Sequence, residues 1–585
     1  MRDDTSIQET FHILSLYESA SGAKINLHKC KGLWSGSLKH RTDQLLNFDW
    51  YNTYIPEKIL GTFFENVDCT RLNIDQRLQS LRNTIVAWKH RDLSFKGKAL
   101  VINGLLTSTL WYTVTSVNLP PWAITDLETE IYNFFWDSKK PLTTRDILAL
   151  LLSEGGFNVH RIQTKMYALR LNTLRRLISP EPAHWKHFMA HFLRLTNLNL
   201  GLHTLTLDYK TQDIDRTIPP YHPELLIAWN KYSPLCTRYL DPVPRSALLQ
   251  ESIFCNPLIT LDNTPLCFPH WISAGITRVQ DICYLAIPGF LPPLAIHELL
   301  YTTLDAEPHP LSRTICEFQQ ILQALPPPWN SLILRDTAPV NRTATLQFTI
   351  TRPSSPTPPN IERHSTRAFF LDLLHLSPPT IPALQQWSNS LLPQPVFNTA
   401  FWKNIYTPYS SNKHCDITRK IAHRNLPTAL SLYRMAVHPT TLCPHCNSVE
   451  TIEHLLLHCP NILNFWSTIS AYINKITQQQ VAVTPTLQLF GYIRKKNDPL
   501  SNRAVYLLNW SLMLARYAIH KSATEYRLRN TLTNPIIIFR SAVQAHLTYQ
   551  YNLAQLRHTV YYFPFDWCIG EAFAKLTDGT LVFTL

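Results

Sequence analysis

Cys443-Pro444-His445-Cys446, followed after seven residues by His454-Leu455-Leu456-Leu457-His458-Cys459, is the most informative stretch of this chain. Its spacing is Cys-x2-Cys-x7-His-x4-Cys. A Cys-x2-Cys knuckle sets two thiolates on one tight turn, so both reach the same ion. Glu450 to Leu457 reads as helix, which lets His454 and a cysteine just past the helix end close a tetrahedron. Three thiolates and one imidazole are the ligand set of a closed structural zinc site, with no position left for water. The expected cofactor is therefore Zn2+ acting as scaffold. The competing explanation is coincidence among 12 cysteines. A histidine and a third cysteine at finger-like distances argue against it. Two spare histidines leave the ligand set open, since His445 lies inside the knuckle and His458 directly precedes Cys459. His454 is preferred because it follows the acidic Glu450-Thr451-Ile452-Glu453 and is set back from Cys459.

Working outward, Phe401-Trp402-Lys403-Asn404-Ile405 lies upstream. Asp416-Ile417-Thr418-Arg419-Lys420-Ile421-Ala422-His423-Arg424-Asn425-Leu426-Pro427-Thr428 follows, and Pro460 to Trp466 closes the segment. This order resembles the zinc-binding domain at the C-terminal end of non-LTR (LINE-type) retrotransposon reverse transcriptases. The matching positions are Trp402, Arg424, Leu426, Pro427, Leu430, Glu453, His454, Cys459 and Trp466. The resemblance implies a small helical domain over 395–470 whose basic helix offers Arg419, Lys420 and Arg424 to nucleic acid.

The N-terminal part carries the same resemblance. Phe11, Leu14 and Tyr17 share a helical face. Gly22 ends that helix, and a short strand with basic flanks should follow. The string from Tyr17 through Ala20-Ser21-Gly22, Lys24-Ile25-Asn26, Lys29 and Lys31 is similar to the last palm segment of these polymerases. That likeness implies that Lys29 sits near the incoming nucleotide's phosphates and makes Lys24 a further candidate for nucleic-acid contact. Ile59-Leu60-Gly61 is similar to the primer grip. Ile74, Leu78, Leu81, Ile85 and Trp88 recur at spacings of 4, 3, 4 and 3, an amphipathic helix. Trp88 to Asn103 resembles the family's thumb, which implies phosphate contacts from Lys89, Arg91, Lys96 and Lys98. Thr125 and Glu128 read as a capping box opening a helix through Leu127, Ile131, Phe134 and Phe135. Phe134-Phe135-Trp136 and then Glu154-Gly155-Gly156-Phe157 match the order that ends the family's thumb.

Composition bounds the rest. The chain has 585 residues, 45% hydrophobic and 16% charged, and a net charge of +13. That suits a globular protein with room for several domains and an affinity for polyanions. Sparse cysteines with no pairing pattern point to a reducing, intracellular compartment, nucleus or cytoplasm. No apolar run reaches the length of a membrane span, and no apolar core follows Met1-Arg2-Asp3-Asp4 to make a signal peptide. Residues 176–394 are dense in proline, with Thr351 to Asn360 reading as a stiff exposed linker. Within them, Ile315 to Leu322 reads as helix. Ser501 to Arg529 reads as a long basic helix with Arg516, His520, Lys521, Arg527 and Arg529 outside its apolar face. A second helix carries Ile538 to Leu556. Asp578-Gly579 is a turn before a final strand.

The expected fold is mainly α. It comprises a palm remnant (1–65), a helical thumb-like region (66–175) and a Pro-rich irregular middle (176–394). A small helical CCHC zinc domain (395–470) and a basic helical C-terminal segment (471–585) complete it. Polymerisation needs two metal-holding aspartates. Asp3-Asp4 is the adjacent pair near the palm-like string, but it runs straight into a helix. The expected function is thus a C-terminal part of a LINE-type reverse transcriptase that binds element RNA and target DNA without polymerising alone. A zinc-stapled helical protein-interaction module is the alternative. A hidden enzyme within 175–395 finds no triad, carboxylate pair or Gly-rich phosphate loop to support it.

Overall fold

The computed structural model describes residues 3–585 apart from 35, 46–48, 52–55, 65–67, 239–244, 304–309, 336–347, 351–359, 393, 407–409 and 495–497. The molecule is 61% helical, and among the described residues its strands form only five two-stranded sheets. The mainly α expectation holds. The linker-like stretch from Thr351 to Pro359 lies outside the described residues. No helix among those described is long and apolar enough to cross a membrane.

The first helix, Asp4–Ser21, is closed at both ends by its own sequence. The Asp3 carboxylate accepts from the Ser6 N–H, and Gly22 takes a left-handed φ of 73° that returns its N–H to Glu18. Asp4 is ion-paired to Arg41. The strand expected directly after Gly22 comes later. A 3-10 turn, Leu27–Lys29, intervenes, and the strand is Lys31–Leu33, paired with Asp49–Tyr51. Glu57–Ile59 and Thr62–Phe64 form a hairpin. Its turn residues Leu60 and Gly61 both have positive φ, as a two-residue hairpin turn requires.

The thumb-like helices follow. Thr70–Lys89 buries Ile74, Leu78 and Leu81. Phe95–Val101 is capped by the Ser94 hydroxyl, which accepts from the Gly97 N–H. Ser108–Ser116 and Pro121–Trp136 complete the set. The last begins five residues earlier than the Thr125 capping box suggests. Pro121 occupies its first turn, a position where the missing N–H costs nothing. Glu128 does not cap its own helix and instead is buried, accepting from Arg145 at 3.1 Å, Arg161 at 3.0 Å and, at the start of a later helix, the Ile162 N–H at 3.2 Å. Fully buried Arg170, on helix Ile162–Ile178, donates to the free carbonyls of Val114 and Val117 and pairs with Glu224 at 2.6 Å. This ties the thumb-like region to helix Tyr221–Tyr232 in the proline-dense middle.

Buried apolar side chains divide into two cores. One runs from Ile74 to Leu374 and so joins the thumb-like helices to the middle region, with Trp229, Trp271 and Phe369 fully buried in it. The other runs from Trp387 to Ala574. Within the middle, Leu311–Ala324 is helical, as its periodicity suggests. The 28-residue helix Asn502–Arg529 passes through the second core. Arg516 and Arg527 are therefore not on an outer face. Arg516 is buried, and Arg527 reaches inward to an acid described below. The chain ends in the hairpin Ala574–Thr577 and Thr580–Phe583, turned at Asp578-Gly579.

Candidate metal centre and its seam with the helical body

Cys443 and Cys446 sit on a turn closed by the Cys443 N–H to Ser448 carbonyl bond (2.8 Å) and by Asn447 N–H to Cys443 (3.0 Å). Asn447 takes the positive φ that this return needs. The expected helix at Glu450 begins only at Ile452 and widens to a π turn over His454–His458. Its i→i+5 bond, Cys459 N–H to the His454 carbonyl at 3.0 Å, folds Cys459 back beside His454. Leu455, Leu456 and Leu457 are all buried, and the Trp466 indole N–H donates to the Leu456 carbonyl at 2.7 Å. The π turn is thus held from both sides.

The four ligand atoms of Cys443, Cys446, His454 and Cys459 lie within 4.8 Å of one another. The sulfurs of Cys443 and Cys459 are 3.8 Å apart, and the Cys446 sulfur is 3.2 Å from Nε2 of His454. Bonds of about 2.3 Å to sulfur and about 2.0 Å to nitrogen give tetrahedral edges of about 3.5–3.8 Å. The cluster is already close to that shape. Of the spare histidines, His445 is hydrogen-bonded by Asn461 and His458 is exposed.

Backbone donors and burial act in opposite directions on the three thiols. Backbone N–H groups of His445 and Cys446 point at the Cys443 sulfur, that of Ser448 at Cys446, and those of Asn461 and Ile462 at Cys459. Cys459 also caps the N-terminus of helix Pro460–Thr477, whose dipole favours negative charge. Burial pushes the Cys443 thiol up to about 12 and raises Cys459 as well. Ligation of a dication by these thiols releases protons, so metal affinity should rise with pH. Sulfur and imidazole donors without a carboxylate in the set favour zinc over magnesium or calcium.

Glu450 is 1% exposed but takes no part in the cluster. It accepts from the Ala429 N–H at 2.8 Å and from Arg527 at 2.6 Å. This pair clamps the end of the long C-terminal helix onto the zinc segment. Replacing Glu450 with Gln strands a buried guanidinium, so we expect a loss of about 3–5 kcal/mol in unfolding free energy. A denaturant titration checks it, and a change below about 1 kcal/mol would refute the clamp.

The nine basic residues marked for nucleic acid divide by environment. Lys24, Lys29, Lys89 and Arg91 are exposed, and Lys96 is half-buried with its ammonium 5.2 Å from the Tyr406 ring centre. Lys98 is withdrawn from solvent, paired with Asp137 at 2.6 Å. Arg419 is 4% exposed, donates to the Gly155 carbonyl and lies 3.6 Å over the Phe157 ring. Lys420 stands over Phe95, while Arg424 pairs with Glu453 and stacks on Trp387. The structure thus draws Arg419 and Lys420 into a seam between the zinc segment and the helical body, while both partners of Arg424 lie within the zinc segment itself.

Gly155 is the centre of that seam. Its carbonyl also meets Nε2 of His423 at 3.0 Å, and a Cβ there would come within 2.8 Å of Trp402 and 2.9 Å of Ile381. Asp416 accepts from the Phe95 N–H at 3.1 Å and from the Tyr406 hydroxyl at 2.7 Å. Sequence reasoning missed Gly155, Asp416, Glu450 and Arg527 as parts of the assembly. The available signal was a Gly-Gly pair in a chain with only 14 glycines.

Comparison with known proteins agrees with this geometry. Residues 385–466 match the family described as zinc-binding in reverse transcriptase. The chain is 24% identical, over an alignment 625 positions long, to the Transposon TX1 uncharacterized 149 kDa protein of Xenopus laevis. That alignment takes in 98% of this chain and 45% of the relative, so the chain spans a little under half the relative's length. Residues 385–466 thus match a reverse-transcriptase zinc-binding family, in a chain similar over nearly its whole length to a transposon protein.

Proposed function

We propose that this chain grips nucleic acid as the thumb and zinc-binding portion of a LINE-type reverse transcriptase. Zn2+ held by Cys443, Cys446, His454 and Cys459 is a staple and performs no step. The observation that carries this reading is the fixed placement of the basic thumb turn against the zinc segment. Phe95 is bonded to Asp416, and Asp92 pairs with Lys413. Lys89 and Arg91 are left exposed at that junction, with Lys96 partly so. Cations on a rigid edge suit the regularly spaced phosphates of a template–primer duplex. Element RNA and target DNA are the partners that the kinship suggests.

Asp3 caps the first helix and Asp4 holds Arg41. Both acids thus have structural work, and we expect no primer extension by this chain alone. The test of the main reading is binding of the zinc-loaded chain to a structured RNA across a salt series. We expect affinity to fall steeply with salt. Lys89, Arg91 and Lys96 changed together to Ala should flatten the log–log slope by about 2–3, close to one per lost phosphate contact. Absent or salt-indifferent binding would sink the proposal and leave a zinc-stapled protein-interaction module.

A further inference from the structure

We infer that a small cavity between helix Asn412–Ala422 and helix Asn502–Arg529 binds a monatomic anion, a halide such as chloride, on the guanidinium of Arg516. The cavity measures about 20 Å³ and is lined in part by Thr418, Phe490, Asn509, Trp510, Met513 and Arg516. That volume holds one water-sized particle, which favours a halide over larger oxyanions or carboxylates.

Arg516 is 3% exposed. Its Nη1 donates to the Gln488 carbonyl at 3.1 Å, but its Nε has no partner. The buried Thr418 hydroxyl, on the facing helix, has none either. Asn509 is not their partner, its amide exchanging two bonds with the Tyr492 backbone. Two orphaned donors therefore belong to side chains lining one cavity.

Charge points the same way. Among the described residues no carboxylate lines the cavity, and the undescribed residues 407–409 carry no acid in their sequence. Nearby acids are engaged elsewhere, Asp416 by Tyr406 and Phe95 and Glu450 by Arg527. Buried Arg419 and half-buried Lys420 lie on the same helix as Thr418. Burial draws Arg516 down only to about 9, so it stays charged at neutral pH. A buried unpaired cation is costly. Water would satisfy the N–H group and leave the charge, whereas a halide answers both and accepts from the Thr418 hydroxyl. The anion would pin the C-terminal helix to the basic helix of the zinc segment, independently of any nucleic acid.

The experiment is thermal unfolding of the zinc-loaded full chain in sodium chloride, bromide or gluconate at one constant ionic strength. We expect the midpoint to rise with the logarithm of halide concentration and to stay flat with gluconate. Arg516→Met should abolish the halide dependence. Should that variant fail to fold, bromide-soaked crystals of the unaltered protein decide, with an anomalous peak beside Arg516 expected. Equal midpoints in all three salts, or no bromide peak in the cavity, would overturn the inference and leave a water there.

Discussion

Changing Cys459 to Ser will strip the chain of its metal and melt the fold around residues 443–466. Serine is as good a helix cap as the structure could ask for at this position, so the helix Pro460–Thr477 loses nothing by the exchange itself. What disappears is a thiolate ligand. Structural zinc sites in small domains carry about 10–16 kcal/mol of apparent binding energy, which is folding energy. Here the buried Leu455, Leu456 and Leu457 keep part of the segment anchored in the second core, so the net loss is smaller. We expect more than about 4 kcal/mol, the range reserved for losing a metal. Metal content by elemental analysis and a denaturant midpoint measure it. His445→Ala and His458→Ala should keep one zinc per chain, because neither belongs to the cluster. If Cys459→Ser retained its zinc and its far-UV signal, the ligand assignment would be wrong.

A single methyl group at residue 156 should be nearly as damaging. A Cβ on Gly156 would lie 1.8 Å from the Leu150 carbonyl oxygen, in a loop whose bonds run from Gly156 to Leu151, Phe157 to Leu148 and Asn158 to Leu150. Backbone cannot swing aside as a flexible side chain can, so Gly156→Ala must break this loop. We expect a loss of at least about 3 kcal/mol. Gly155→Ala meets movable rings and aliphatic carbons but also a φ of +92°. It should cost about 1–3 kcal/mol and expose the seam at Arg419 to proteolysis. Gly104→Ala is the control, since nothing lies within 4 Å of its Cβ, and it should be neutral or stabilising by up to about 1 kcal/mol. A Gly156→Ala protein within about 0.5 kcal/mol of the parent would show that the loop is not built this way.

Local chemistry in this chain was legible from sequence because its signals are short-range. The four metal-cluster residues lie within one short stretch, and their types alone specify a cluster. Gly22 and Asp578-Gly579 mark their turns because only a left-handed backbone fits there. Ile74, Leu78 and Leu81 declare a buried stripe by spacing. Where two local signals competed, the reading failed. Thr125 and Glu128 look like a cap, yet Pro121 had already started the helix. Distant partners were invisible. Arg527 meets Glu450 across 77 residues, and Arg419 meets Gly155 across 264. Nothing in either neighbourhood announces such a pair, and a polar residue on a helix reads as exposed until its other neighbours are placed. Arg516 was misjudged for that reason, because the second core surrounds its helix on several sides.

The second core has a practical reach beyond chemistry. The matched family segment stops at 466, in the middle of helix Pro460–Thr477. Phe465 packs on Phe539, and Tyr472 on Phe573, far downstream of that border. The family match and the packed core therefore have different outlines here. A piece trimmed to the recognisable motif would keep its metal ligands while shedding the aromatic wall behind them. A cut at 466 would divide one shared core, so the zinc segment is expected to need the chain on to the terminal hairpin in order to fold.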